Sequence, residues 1–165
     1  MVEDPKHLVR TRSLPRESAT RLGHPLNPNA EVLVQRLGDR VGMKRVHLSI
    51  ARLPPGRESF VPHSHTFQEE FLFILEGEST ARIGDARVAV GPGDYMGFPT
   101  DGTPHQLINS GTADLVYLMG GERSDAEIVS FPSLGKTAFF RGGEVSLFDP
   151  ASATRLSVRD WIKPG

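Results

Sequence analysis

Through residues 43–140 the chain runs in short stretches of strand-forming residues, each closed by a Gly- or Pro-bearing break before it reaches the length of a stable helix. Pro54-Pro55-Gly56, Gly77, Gly84-Asp85, Gly91-Pro92-Gly93-Asp94, residues 99–104, Ser110-Gly111-Thr112, Gly120-Gly121 and residues 132–135 are such breaks. This punctuation predicts an all-β sandwich or barrel, with strands over 43–53, 70–75, 79–83, 86–90, 95–98, 106–109, 114–119, 127–131 and 136–140. Gly84-Asp85 is the two-residue link of a hairpin whose turn needs positive φ. The 17 Gly and 13 Pro agree, because both residues disfavour helix interiors.

Within 43–53, Val46, Leu48 and Ile50 share one parity while Arg45, His47, Ser49 and Ala51 share the other, the pattern of a half-buried strand. The stretch 70–75 is apolar on both parities and is expected to be covered on both faces. Residues 31–37, EVLVQRL, fit a strand or a short helix. Residues 1–30 read as an irregular arm, made basic by Arg10, Arg12, Arg16 and Arg21, that lies on the barrel or on a partner subunit. The last stretch, 121–165, is expected to add strands and a tail whose single tryptophan, Trp161, docks on the body. One domain of 165 residues is expected, with its barrel core over 43–120.

The charge balance excludes some functions. With 19 basic and 20 acidic side chains the net charge is -1, which provides no field to gather nucleic acid or an anionic membrane. There is no cysteine, hence no disulfide, thiolate metal site or thiol nucleophile. Charges stand at the N-terminus where a signal peptide needs an apolar run, and no segment approaches the length of a membrane span, so a cytoplasmic protein is expected.

The chemistry is concentrated in residues 62–77, PHSHTFQEEFLFILEG. His63 and His65 are two apart, so on an extended chain they point to one face. A second stretch, 93–109, supplies His105. The spacing runs Gly56-x6-His63-x-His65-x4-Glu70-x6-Gly77, then Gly93-x5-Pro99-x2-Gly102-x2-His105-x3-Asn109. These residues resemble the two motifs of the cupin family, G-x5-H-x-H-x3,4-E-x6-G and G-x5-P-x-G-x2-H-x3-N, and together cover about a third of the chain. The sequence departs from the family by one extra residue between Gly56 and His63 and one between Pro99 and Gly102, both in loops where an insertion is tolerated.

The resemblance implies a double-stranded β-helix barrel holding one divalent transition metal on His63, His65, Glu70 and His105. Imidazoles and a carboxylate suit Zn, Mn, Fe, Ni, Co or Cu, and four protein ligands leave a six-coordinate ion two open positions. Glu70 is preferred to Glu69 because it fits both motif spacings, and adjacent strand residues face opposite ways. His47, on the parity of Ser49, is a candidate general acid or base. Tyr95, Phe98, Gln106 and Tyr117 are candidate pocket walls. His7 and His24 are expected to be exposed.

A cupin barrel does not name a reaction. The first expectation is a metal-dependent enzyme on a small polar molecule, with sugar or sugar-phosphate isomerisation as the reaction and His47 moving the proton. A dioxygenase and a non-catalytic binding or sensor module are the alternatives. The partner is a small-molecule ligand, and the family resemblance implies a homodimer.

Overall fold

The end of the expected arm is sheet. In the computed structural model, which describes residues 5–162, 3-10 turns at Thr11–Ser13 and Arg16–Ser18 lead into β1 (Thr20–His24) and β2 (Asn27–Arg36), an antiparallel pair. Ala30, Val32 and Val34 give β2 a buried row, and Asn27 fixes its start by donating from Nδ2 to Glu58 Oε2 and to the Phe60 carbonyl. Residues 31–36 are therefore strand, and one helical turn, α1 (Leu37–Arg40), follows. The parts of the expected arm and tail at 1–4 and 163–165 lie outside the described residues.

The remaining strands are β3 (Val46–Leu53), β4 (Ser64–His65), β5 (Glu70–Glu76), β6 (Ser79–Ile83), β7 (Ala86–Val90), β8 (Tyr95–Phe98), β9 (His105–Ile108), β10 (Leu115–Glu122), β11 (Ala126–Phe131), β12 (Lys136–Arg141) and β13 (Glu144–Phe148). They form three sheets, ordered β1-β2-β3-β10-β5-β8, β13-β12-β11-β4 and β7-β6-β9, whose strand pairs are antiparallel. The fold is all-β, as expected. Gly84 has φ +58°, supplying the left-handed residue the β6–β7 hairpin needs. The last strand, β13, falls outside the expected set.

Register explains the core. Tyr117 on β10 pairs with Ala51 and Ile74, Met119 with Ser49 and Leu72, and Gly121 with His47 and Glu70. Side chains alternate along a strand, so these rungs share one face, and Ala51, Ile74 and Tyr117 are wholly buried within it. Burial of each large apolar side chain there contributes about 1.5–3 kcal/mol.

The inner row of β3 is Ser49, Ala51 and Leu53, while Val46 is exposed. Strand alternation thus turns the more apolar parity away from the interior, where Ala51 sits opposite Tyr117. His47 consequently belongs to the inner row. On β5, Leu72 and Ile74 are buried but Phe71 and Phe73 are half-buried and Leu75 is exposed, so only one face is fully covered. Trp161 is 76% exposed and does not dock on the described body. Its 3-10 turn, Val158–Trp161, is held by a reciprocal Ser157–Asp160 capping box instead. No helix among the described residues is long and apolar enough to cross a membrane.

Candidate metal centre

The two histidine-bearing stretches meet through a backbone bridge. The His63 N–H donates to the His105 carbonyl at 3.2 Å, and the His105 N–H returns a bond to the His63 carbonyl at 2.9 Å. His65 comes from the β11-β12-β13 sheet, Glu70 from the first residue of β5, and His105 from the first residue of β9. All three sheets thus converge on one point.

One ligand atom from each of His63, His65, Glu70 and His105 lies within 4.8 Å of the others. Glu70 Oε2 is 2.9 Å from His105 Nε2 and 3.7 Å from His65 Nε2. Bonds of about 2.0–2.2 Å to a shared ion put neighbouring ligand atoms roughly 3–3.5 Å apart, so the cluster is sized for one. Nδ1 of His63 is 2.8 Å from the Val61 carbonyl, which can only accept. That nitrogen therefore carries the proton and leaves the Nε2 lone pair for a ligand. Phe98 stacks on His105, with ring centroids 3.7 Å apart and planes 6° apart, and holds the imidazole's orientation.

The electrostatics suit the same use. Burial, aided by the neighbouring His105, lowers the His63 pKa to about 4, and burial also lowers that of His65 against the pull of Glu70. Burial opposes ionisation of Glu70, but the His105 hydrogen bond and the surrounding imidazoles outweigh it and its pKa falls. Near neutral pH His63 and His65 offer lone pairs and Glu70 a carboxylate, and a metal ion would take the place of the proton that His105 Nε2 donates to Glu70.

A family model described as Cupin domain matches residues 49–121. The "Putative sugar phosphate isomerase" of Acidithiobacillus ferrooxidans is similar over nearly its whole length, with 32% identity, a TM-score of 0.87, and coverage of 92% of this chain and 97% of that one. The chain belongs to the cupin superfamily. Two further structures share the cupin fold at 23% identity: a sugar phosphate isomerase from Silicibacter pomeroyi, with a TM-score of 0.74 and coverage of 89% and 98%, and a "predicted oxalate decarboxylase" from Thermotoga maritima, with 0.57 and coverage of 71% and 99%. No curated protein matches the chain.

Around the cluster the cupin barrel opens into cavities. One, of about 600 Å³, is lined by His47, Glu70, Tyr95, Phe98 and Gly121, which places His47 and two of the expected wall residues together. Burial lowers the His47 pKa, partly offset by Glu70, so its ring is neutral near pH 7. Gln106 and Tyr117 do not line that cavity. Gln106 spends its amide on Glu58 Oε2 and the Phe60 carbonyl, and Tyr117 is buried in the core, which raises its pKa. Glu69 is exposed and outside the cluster. His7 is exposed; His24 is half-buried, packs edge-on to Phe131 and has a pKa lowered by burial.

Glu127, on β11, was not among the expected site residues, yet it is buried and lines a second cavity with His65. Its signal in the sequence is parity: Glu127, Val129 and Phe131 alternate with Ala126, Ile128 and Ser130, setting an acid on a row of large apolar residues.

Proposed function

We propose that this single-domain cupin binds one divalent transition metal through His63, His65, Glu70 and His105 and isomerises a small sugar or sugar phosphate. The observation that carries the catalytic part is the row His47, Gly121, Glu70, which sets an imidazole neutral near pH 7 in the same cavity as a ligand of the cluster. A bound divalent ion would polarise a carbonyl oxygen of the substrate and favour loss of a proton from the adjacent carbon. His47, through its neutral imidazole, accepts that proton from one carbon and returns it to the next, and with the matching transfer of a proton from the neighbouring hydroxyl oxygen to the carbonyl oxygen this makes up the net change of an aldose–ketose interconversion. Gly121, having no side chain, lets β3 and β5 close on β10 so that His47 and Glu70 stand together on either side of it. The description of the 32%-identical relative supports this reaction class over dioxygenation or binding without turnover.

The test is a screen of pentoses, hexoses and their phosphates in D2O, with metal content measured on protein purified without chelator. Deuterium should enter the carbon beside the carbonyl, and His47→Gln should abolish exchange while keeping close to one metal per chain. Replacing both His63 and His105 by Ala should remove the metal. Oxygen consumption with small acids or catechols would instead identify a dioxygenase, and thermal stabilisation without turnover a binding module. We further place the functional unit as a homodimer, supported by the uncovered apolar side chains of Val158, Trp161 and Ile162 near the C-terminus.

A further inference from the structure

Glu127 is 4% exposed and stands on the inner row of β11. Its Oε1 accepts three backbone N–H bonds, from Thr66 at 2.9 Å, Phe67 at 3.1 Å and Ile128 at 2.8 Å. Those bonds pin the chain directly after His65, and His65 itself pairs with Val129, two residues from Glu127 on the same row. The other oxygen, Oε2, is buried without a partner, and so is Nδ1 of His65. A buried polar atom left unpaired costs about 1–3 kcal/mol, so a neighbouring acceptor and ring nitrogen left in this way call for a shared partner. Both residues line one cavity of about 670 Å³, which has room for water.

We infer that Glu127 is the positioning residue of His65, its Oε2 receiving the His65 Nδ1–H through one water and fixing the tautomer whose Nε2 turns to Glu70, His63 and His105. Val61 does the same for His63 with a backbone carbonyl. A carboxylate in that role both orients an imidazole and increases its basicity as a ligand. The inference rests on the cluster being a metal site, and its test separates the two.

Glu127→Gln keeps one oxygen for the three backbone donors but puts an NH2 where Oε2 stands, and an amide NH2 cannot accept from an imidazole N–H. Glu127→Ala removes both functions. Co2+ affinity, measured by chelator competition, should fall about 10- to 100-fold in Glu127→Gln, with the Tm of the metal-free protein unchanged. Nitrogen-15 NMR of the metal-free wild type should show His65 as the Nδ1–H tautomer, shifting toward Nε2–H in the variant. Glu127→Ala should lower the Tm as well. Wild-type Co2+ affinity in Glu127→Gln would confine Glu127 to clamping residues 66–67. So would an Nε2–H tautomer at His65 in the metal-free wild type, a measurement that needs no variant to fold. If the wild type takes up no Co2+, the metal reading fails, while the tautomer comparison still decides the role of Glu127.

Discussion

Nε2 of His47 stands 3.2 Å from the point where a β-carbon on Gly121 would lie, and Glu70 pairs with the same glycine from the other strand. That β-carbon would also lie 2.4 Å from the Glu69 carbonyl oxygen and 3.1 Å from the Glu70 Cα. Backbone atoms of a central strand cannot move aside without breaking ladder bonds. We expect Gly121→Ala to destabilise the protein by about 1–3 kcal/mol through overpacking, read as a lower urea midpoint with an unchanged slope. An unaltered midpoint would mean that β5 and β10 can separate here, and that the glycine is not needed to fit His47 beside Glu70.

Stability of the metal-free protein should fall as the pH drops from about 6.5 to about 4. His63 holds its proton more weakly folded than unfolded, so across that window the unfolded chain binds more protons and gains stability relative to the native state. Above about 6.5 the ring is neutral in both states and contributes nothing. His47 and His65, also lowered by burial, act in the same direction. Glu70, with a lowered pKa, adds a stabilisation present above its unfolded value that is lost as the pH falls further. Denaturant titrations at several pH values check this, and a flat profile over the window would contradict the burial of His63.

Phe98 fixes the plane of His105 by stacking on it, and is itself only 7% exposed. Phe98→Ala should cost about 3–5 kcal/mol as a cavity in the core. Phe98→Leu keeps most of the volume and should cost about 1 kcal/mol, yet it frees the imidazole plane. Its Co2+ affinity should therefore drop further than its stability. Equal affinity in Phe98→Leu and wild type would reduce Phe98 to core filling.

The architecture was legible where local chemistry decides it. Gly84-Asp85 marked its hairpin because the turn needs positive φ, and the His63, His65, Glu70 and His105 spacing anticipated the cluster that the bridge between His63 and His105 assembles. What escaped depended on partners distant in the chain. Residues 20–24 and 27–30 are strand because β1 folds back on β2, whose far end, residues 33–36, is anchored on β3, partners that this stretch does not announce. On β3 the parity of Ser49 and Ala51 faces the core and that of Val46, Leu48 and Ile50 does not, a choice that alternation alone leaves undecided. Gln106 and Tyr117 were expected to line a pocket on residue type alone, and only three-dimensional contacts show that Glu58, Phe60 and the core claim them.

Asn109, which closes the second motif, is fully buried and does structural work. Its Nδ2 donates to the Leu53 carbonyl at 2.7 Å and the Ala113 carbonyl at 2.9 Å, and its Oδ1 accepts from the Gly111 N–H at 3.0 Å. These bonds tie the end of β3 to the turn between β9 and β10. Asn109→Ala leaves two carbonyls and one N–H short of a partner and should cost about 2–4 kcal/mol. Metal stoichiometry of the folded protein should not change. Loss of metal without loss of stability would show instead that Asn109 acts on the site through His105.

Trp161 reports on the proposed dimer because it is the single tryptophan and is 76% exposed in the isolated chain. Val158 and Ile162, 83% and 70% exposed, flank it on a turn already ordered by its Ser157–Asp160 box, so the chain presents a formed apolar surface. Ordering an exposed apolar turn has no hydrophobic return until something covers it. Sedimentation should therefore give a two-chain mass at micromolar concentration, with Trp161 emission shifted to the blue and protected from acrylamide. Trp161→Ser, which removes the largest apolar contact without touching the barrel, should shift the equilibrium toward one chain. A one-chain mass at every concentration, with freely quenched emission, would exclude a homodimer built on this surface.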